Sequence, residues 1–414
     1  MTKAEEITHR YRWVIIGVLW TTYIVIFMHR LGIGPLAPFL KEDLSLTNAQ
    51  VGSLMSAAAF GYLLSIMPAG WAADRIGVRW LLLIGEVVGG IFMLGMFLVP
   101  SYESALVIMA MSGFGCGCLM PSTTKGVMVW FPVKERATVM GLKQTGVNVG
   151  GIIAAAVLPA VALALGWRFG FLFLGILAII IGVSSFLLYK DPPVPATSPS
   201  RKDDATSTDV ATPTKGQLLR ELLKARDVWL VALAGFALAV VEFAVIAHLV
   251  LYLTEALLFP VVTAGMMLAM TETGGVLGKP GSGVLSDRLF GGSRRKIYML
   301  WGGLAGAMCM LIALWGTSLS WELYPILIIL GVTAIGWGGL HLTLVAELAG
   351  TELAGTATGA TGVAVNAGTL VGPILFGYLV DVSGSYQLAW LSGVVFAAIC
   401  VAALFFVREE KRRI

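Results

Sequence analysis

The sequence predicts an all-α membrane protein in which twelve transmembrane helices form two pseudo-symmetric six-helix bundles. Hydrophobic residues make up 57% of the 414 positions and charged residues only 13%, whereas soluble domains carry about 25% charged residues. Apolar stretches of the roughly 20 residues that a helix needs to cross a bilayer recur along the chain. A glycine, aspartate and arginine pattern in the first half returns in the second. These observations leave little sequence for a soluble domain.

The predicted helices follow one another through short connections, apart from one polar segment. Residues 190–226 are rich in Pro, Ser, Thr, Lys and Asp, a composition typical of a linker. We therefore expect an N-terminal bundle over 1–189, a linker over 190–226, and a C-terminal bundle with a short basic tail over 227–414. The predicted helices are 13–40, 48–73, 80–99, 104–131, 138–165, 169–189, 227–256, 261–286, 297–317, 321–348, 353–380 and 386–407.

The distribution of basic residues predicts the orientation of these helices. Most of the 28 Lys and Arg residues fall in the N-terminal segment, in the connections after even-numbered helices, and in the C-terminal tail. The opposite side carries only Lys41 and Arg168. Because connections rich in Lys and Arg stay in the cytoplasm, both termini are expected there. The chain is therefore expected to be a multi-pass protein of the cell membrane, the inner membrane if it is bacterial.

Two patterns occur in both halves of the chain. The sequence Gly-x-x-x-Asp-Arg stands at 70–75, after predicted helix 2, and again at 283–288, after predicted helix 8. Predicted helices 5 and 11 share an Asn-x-Gly sequence that begins at Asn148 and Asn366. Parallel repeats of six helices are an architecture in which substrate binds near the middle of the membrane, between the repeats.

The repeated Asp-Arg pattern resembles the signature loop of the major facilitator superfamily, and the resemblance covers essentially the whole chain. In that family the motif is a gate, in which the Asp caps a neighbouring helix and the Arg pairs across helices when the outside is open. The resemblance assigns this gate to Asp74, Arg75, Arg79, Asp287 and Arg288. A basic loop that merely fixes topology would explain the arginines, but not two aspartates at the membrane edge.

Within that superfamily, the sequence is nearest to the anion:cation symporter branch. An arginine that follows a polar residue in helix 1, and the segment from Trp130 to Ala137, resemble that branch, whose members take up organic acids with a proton gradient. The branch typically has Asp before this arginine and Arg and Glu in helix 4, where this chain has His29, Met109 and Cys116. The resemblance therefore assigns the role of the anion-binding arginine to Arg30, but it assigns the role of the coupling residues to no residue of this chain. Monocarboxylate and oxalate carriers are a second resemblance.

Arg30 is the leading candidate for contact with a substrate. A cation at the centre of a membrane helix costs roughly 2.5 to 3.5 kcal/mol on insertion scales, so it needs a partner or a function. Gly32 and Pro35 are expected to weaken the helix beside it. Either Arg30 forms a structural pair with Glu242 or Glu272, or it grips a substrate carboxylate through its planar fork.

Other polar residues within the predicted helices are further candidates for substrate binding. The side chain of Lys143 could equally well extend to the membrane surface instead of contacting substrate. For Lys125, extension to the membrane surface is the favoured interpretation. Asn148 and Asn366 would serve equally well as links between helices. The complete set beside Arg30 is Tyr23, Lys125, Lys143, Gln144, Asn148, His341 and Asn366.

Three titratable residues are candidates for proton coupling. A carboxyl group in a low-dielectric site binds its proton more readily, so Glu242 and Glu272 could exchange protons near neutral pH. His29 is the third, since a histidine titrates near about 6.5. The alternative for Glu272 is a permanent pair with Lys279, seven residues later on the same helix face. Glu86 is expected to reach water.

We therefore expect a secondary transporter of a small organic anion, coupled to protons or sodium and working by alternating access. The lipid bilayer and the substrate are the expected partners; no cofactor, metal, nucleic acid or second subunit is expected. The alternatives are a proton-coupled exporter or antiporter and a non-transporting membrane sensor. Helix 5 lacks the Gly-Pro of the antiporter signature, although Gly372-Pro373 occurs in helix 11. No nucleophile–base arrangement or phosphate loop suggests an enzyme.

Overall fold

The computed structural model describes residues 3–190 and 225–408. Within these ranges, twelve helices are long and apolar enough to cross a membrane. The predicted all-α, twelve-helix architecture is thus confirmed. Residues 191–224, which hold nearly all of the predicted linker, and the tail beyond 408 lie outside the described residues.

The helices begin and end within five residues of the predicted positions, except that the first helix begins ten residues before its predicted start, at Lys3. Two of them are interrupted, α1 at Gly32 and α10 at residues 335–337. Helix α1 consists of Lys3–Leu31 and Ile33–Asp43, and the others are α2 (Asn48–Ile76), α3 (Val78–Gly95), α4 (Tyr102–Trp130), α5 (Val133–Leu165), α6 (Trp167–Leu188), α7 (Arg226–Glu255), α8 (Val261–Leu289), α9 (Arg294–Trp315), α10 (Leu323–Gly350), α11 (Leu353–Ser383) and α12 (Tyr386–Phe405).

Proline explains the interruption of α1. Pro35 has no backbone N–H, so the carbonyl of Leu31 loses the partner it would have four residues later in the helix. The first segment ends at Leu31, and the second begins at Ile33. Arg30 therefore lies in the last turn of a helical segment, where carbonyl groups and the helix dipole favour a cation.

At the end opposite the termini, the two halves are linked by polar contacts. Lys41 of α1 pairs with Glu255 of α7 at 2.7 Å. Asp381 of α11 accepts hydrogen bonds from the backbone N–H groups of Asn48 and Ala49, at 2.9 and 2.8 Å. It thus caps the N-terminus of α2 from the other half, where a negative charge is favoured. We call this end the closed end.

At the end where α1 begins and α12 ends, the charges pair within their own halves. Asp74 of α2 pairs with Lys125 of α4 at 2.7 Å, and Asp287 of α8 pairs with Arg294 of α9 at 2.7 Å. Among the described residues, no hydrogen bond or ion pair joins the two halves at this end. In contrast to the closed end, no described polar contact holds the halves together here, and we call this the open end.

Candidate functional site

Arg30 faces the boundary between the two halves. Its side chain is buried, with 7% of the residue exposed. The guanidinium carbon lies 4.1 Å from the ring centroid of Tyr62, 5.4 Å from that of Phe27 and 5.8 Å from that of Phe243. These distances suit cation–π attraction. Because Phe243 belongs to α7, the cation is surrounded by rings from both halves.

The guanidinium of Arg30 has no anionic partner in this conformation. Among the described residues, no carboxylate forms an ion pair with it, and none of its N–H groups finds a hydrogen-bond acceptor. The structural pair with Glu242 or Glu272 is therefore not formed here, although Glu242 lies within electrostatic range. Aromatic rings contact the cation, while its donors stay available to a ligand.

Lys143 of α5 is a second buried cation beside the same helix. It is 1% exposed, so it does not extend to the membrane surface. Its ammonium donates to the hydroxyls of Thr123 and Thr124, at 3.3 and 3.1 Å, and lies 4.4 Å from the ring centroid of Tyr23. All three partners are neutral. The N-terminal half thus presents two cations without an anionic partner among the described residues.

Glu272 lies at the contact between α5 and α8. The side-chain amide of Asn148 donates to Glu272 Oε2 at 2.8 Å, and Lys279 donates to the amide oxygen of the same Asn148. Asn148 therefore stands between Glu272 and Lys279 in place of a direct pair. Glu272 is 1% exposed, and its Oε1 has no hydrogen-bond partner among the described residues. A β-carbon at Gly151 would lie 2.8 Å from the carboxyl carbon.

Glu242 and His341 are held by side chains around the interruption of α10. Trp337, within that interruption, donates to Glu242 Oε2 at 3.0 Å and stacks on Tyr298. One ring nitrogen of His341 lies 3.4 Å from the Tyr298 hydroxyl, and the other lies 3.3 Å from the Thr361 hydroxyl. Glu242 thus has one hydrogen-bond donor, and His341 is engaged within the C-terminal half.

His29 and Glu86 are both buried inside the N-terminal half. His29 Nε2 lies 3.1 Å from the carbonyl of Leu174, so this nitrogen carries the hydrogen. Its Nδ1 lies 3.7 Å from the sulfur of Cys116. The expectation that Glu86 reaches water is wrong, because α3 turns it inward against Gly182 of α6 and leaves it 1% exposed. Its Oε1 has no partner among the described residues.

Besides His341, three of the candidate binding residues lie apart from Arg30 and Lys143. Lys125 donates to the backbone of α2 and pairs with Asp74 near the open end. Gln144 is exposed. Asn366 donates to the carbonyl of Gly362 in its own helix. The contacts thus form two groups: Arg30, Tyr23 and Lys143 lie along α1 within the N-terminal half, and Asn148 and Glu272 join the two halves.

Comparison with known proteins settles the family. The model of the Major Facilitator Superfamily matches residues 19–366. The chain belongs to the Major Facilitator Superfamily. Its fold is similar to that of a bacterial homolog of the human lysosomal transporter Spinster, solved in an inward-facing and occupied conformation, with a TM-score of 0.78 at 19% identity over 96% of this chain and 97% of that one.

Three curated members of the superfamily are similar to this chain along most of its length. A probable sulfoacetate transporter of Cupriavidus necator is 27% identical over 95% of this chain and 93% of the relative. A hexuronate transporter of Bacillus subtilis is 25% identical over 95% and 94%. A membrane sensor protein of Salmonella typhimurium is 28% identical over 76% and 73%. The chain is accordingly a multi-pass transport protein of the cell membrane and not an enzyme.

The remaining residues of the superfamily's signature motif lie at the open end. The guanidinium of Arg75 lies over the ring of Trp71, 4.0 Å from its centroid. Arg79 donates to the carbonyl of Phe186 at 2.6 Å. Arg288 is exposed. Both copies of the motif therefore make their described contacts inside their own halves.

Sequence reasoning missed three aromatic residues of the candidate site. Tyr62 and Phe243 flank Arg30, and Trp337 holds Glu242. An aromatic residue in an apolar helix is ordinary, so the sequence carried no signal for the first two. Trp337 stands between Gly336 and two further glycines, and this run of glycines could have predicted the interruption of α10.

Proposed function

We propose that this transporter imports a small organic anion by proton-coupled symport, through alternating access of its two halves. The observation that carries the proposal is the unpaired guanidinium of Arg30, buried between the halves. Removing a charge from water costs several kcal/mol unless a partner compensates it. The planar fork of arginine suits a carboxylate, and the names of two relatives include anionic substrates, sulfoacetate and hexuronate.

The carboxyl group of Glu272 is the proposed proton carrier. Its second oxygen lacks a partner among the described residues, whereas both ring nitrogens of His29 are engaged. When ionised, Glu272 accepts a charge-assisted hydrogen bond from Asn148 and attracts Lys279; protonation weakens both interactions. Because Asn148 and Glu272 belong to different halves, the proton would change the contact between α5 and α8. Glu242 is the alternative carrier.

The proposed orientation follows from the basic residues. If the termini are cytoplasmic, the open end faces the cytoplasm and this conformation is the one that releases substrate. Opening of the opposite end would then require the bonds of Lys41 and Asp381 to break. In that state the motif residues Asp74 and Asp287 would join the halves at the cytoplasmic side. One chain contains the complete site, which supports a monomer.

Uptake into proteoliposomes tests this function. The panel contains monocarboxylic, dicarboxylic and sugar acids, each offered with and without an inward proton gradient. We expect at least one acid to accumulate, and only when the gradient is present. Transport of a lipophilic cation without accumulation or exchange of any acid would favour an exporter instead. Binding of an acid without flux would favour a sensor, the activity named for one relative.

A further inference from the structure

Two buried cations of the N-terminal half indicate which class of anion the site can bind. Arg30 and Lys143 are both buried and have no carboxylate partner among the described residues. In the C-terminal half, by contrast, Lys279 lies within electrostatic range of two carboxyl groups, those of Glu242 and Glu272. The excess positive charge is therefore concentrated on the N-terminal wall, and a single carboxylate would compensate only half of it.

The two cations lie along one face of α1. Lys143 contacts the ring of Tyr23, whose centroid lies 5.3 Å from that of Phe27, and Phe27 in turn contacts Arg30. Tyr23, Phe27 and Arg30 are spaced four and three residues apart, which places them on one side of a helix. Seven residues correspond to about 10 Å along the helix axis. The aromatic rings form an apolar wall between the two charges.

We propose that the site binds a small dianion, with one acidic group on Arg30, the other on Lys143, and a short carbon spacer along Tyr23 and Phe27. This inference rests on the proposed function and specifies its substrate class. A charge-assisted hydrogen bond of 2.7–2.9 Å puts each acid carbon roughly 3 to 4 Å from its cation. The rise of about 10 Å along α1 from Tyr23 to Arg30 sets the scale of the gap, which we propose a spacer of about one to three carbons bridges.

The two cations offer different chemistry to the two acids. Arg30 presents a planar fork with five N–H donors, which matches a carboxylate. Lys143 has three donors, of which Thr123 and Thr124 occupy two. One N–H and the positive charge remain for the second acid. The Tyr23 ring lies over the ammonium in this conformation, so binding requires the ring to shift off the ammonium while it still lines the spacer.

Matched pairs of acids test the inference on the full-length protein. Malonate, succinate and glutarate are each compared with their monoamide, which has nearly the same shape but only one charge. Affinities are measured by calorimetry on purified protein at one pH and one ionic strength. We expect at least one diacid to bind about tenfold or more tightly than its monoamide.

Variants assign that preference to Lys143. In Lys143→Gln we expect the ratio of diacid to monoamide affinity to fall toward one, and monoamide binding shows that the variant is folded. Lys134→Gln is the matched control, because Lys134 is an exposed lysine of the same helix; there the ratio should stay as in the unmodified protein. Lys143→Met is the second variant, should the glutamine be poorly tolerated.

Two results would overturn the inference. Equal affinity of the unmodified protein for each diacid and its monoamide would show that a second charge is not recognised. A preference that survives in both Lys143 variants would place the second acid elsewhere. In either case the proposed transport of a monoanion would stand. If none of these acids bound and the wider uptake panel also failed, the proposed function would be lost together with the inference.

Discussion

Replacing Gly151 with alanine should disturb the link between α5 and α8. A β-carbon there would lie 2.8 Å from the carboxyl carbon of Glu272, closer than two carbons can approach, so the Glu272 side chain must move. We expect this movement to break the hydrogen bond from Asn148, and a hydrogen bond to a charged group contributes about 1.5 to 3 kcal/mol. This loss is partly offset because alanine stabilises the interior of a helix by about 1 kcal/mol relative to glycine.

Gly141 of the same helix supplies the matched control. A β-carbon at Gly141 meets nothing within 4 Å, so Gly141→Ala keeps the gain in helix propensity without the clash. We expect Gly141→Ala to raise the apparent melting temperature of the purified protein and Gly151→Ala to lower it. The difference between the two variants should correspond to about 1.5 to 3 kcal/mol. Equal stabilisation by both substitutions would refute the described position of Glu272.

Three further predictions follow from the ionisable residues. Glu272→Gln should abolish accumulation driven by a proton gradient while exchange of labelled for unlabelled acid continues, because glutamine accepts a hydrogen bond but cannot ionise. Accumulation that persists would exclude Glu272 as the proton carrier. Glu86→Gln should leave the apparent melting temperature unchanged or higher, because burying a carboxyl group without a hydrogen-bond partner destabilises the folded protein. A fall of several degrees would reveal a stabilising partner of Glu86. Lys41→Gln should leave Glu255 without its cation and shift the conformational equilibrium about 1.4- to fivefold, or about 0.2 to 1 kcal/mol, toward opening of the closed end. Unchanged distances between spin labels on α1 and α7 would contradict this.

The sequence predicted the fold well because hydropathy and helix length determine it. Apolar stretches of bilayer length defined all twelve helices, and Gly32 and Pro35 indicated a weak point in α1, where the helix is interrupted. The interruption of α10 was not predicted, although the run of glycines around Trp337 permits such a break. The gate motif at Asp74 and Asp287 was recognisable because its spacing repeats.

The candidate site was predictable only where charge stood out against an apolar background. Arg30 and Lys143 met that condition, and both are buried without an anionic partner among the described residues. Position along a helix does not say which face a side chain occupies, which is why Glu86 was expected in water. Tyr62 contacts Arg30 from another helix, and no pattern within a single helix predicts such a contact.

The most direct test of the central claim is the affinity of Arg30→Lys for the transported acid. Lysine keeps the charge but loses the planar fork, so the variant separates a bidentate grip from simple charge compensation. Arg168→Lys is the control, because Arg168 pairs with Asp43 at the closed end, outside the site. We expect affinity to fall about tenfold or more in Arg30→Lys and to stay unchanged in Arg168→Lys. Near-normal binding by Arg30→Lys would contradict the account and give Arg30 a structural role.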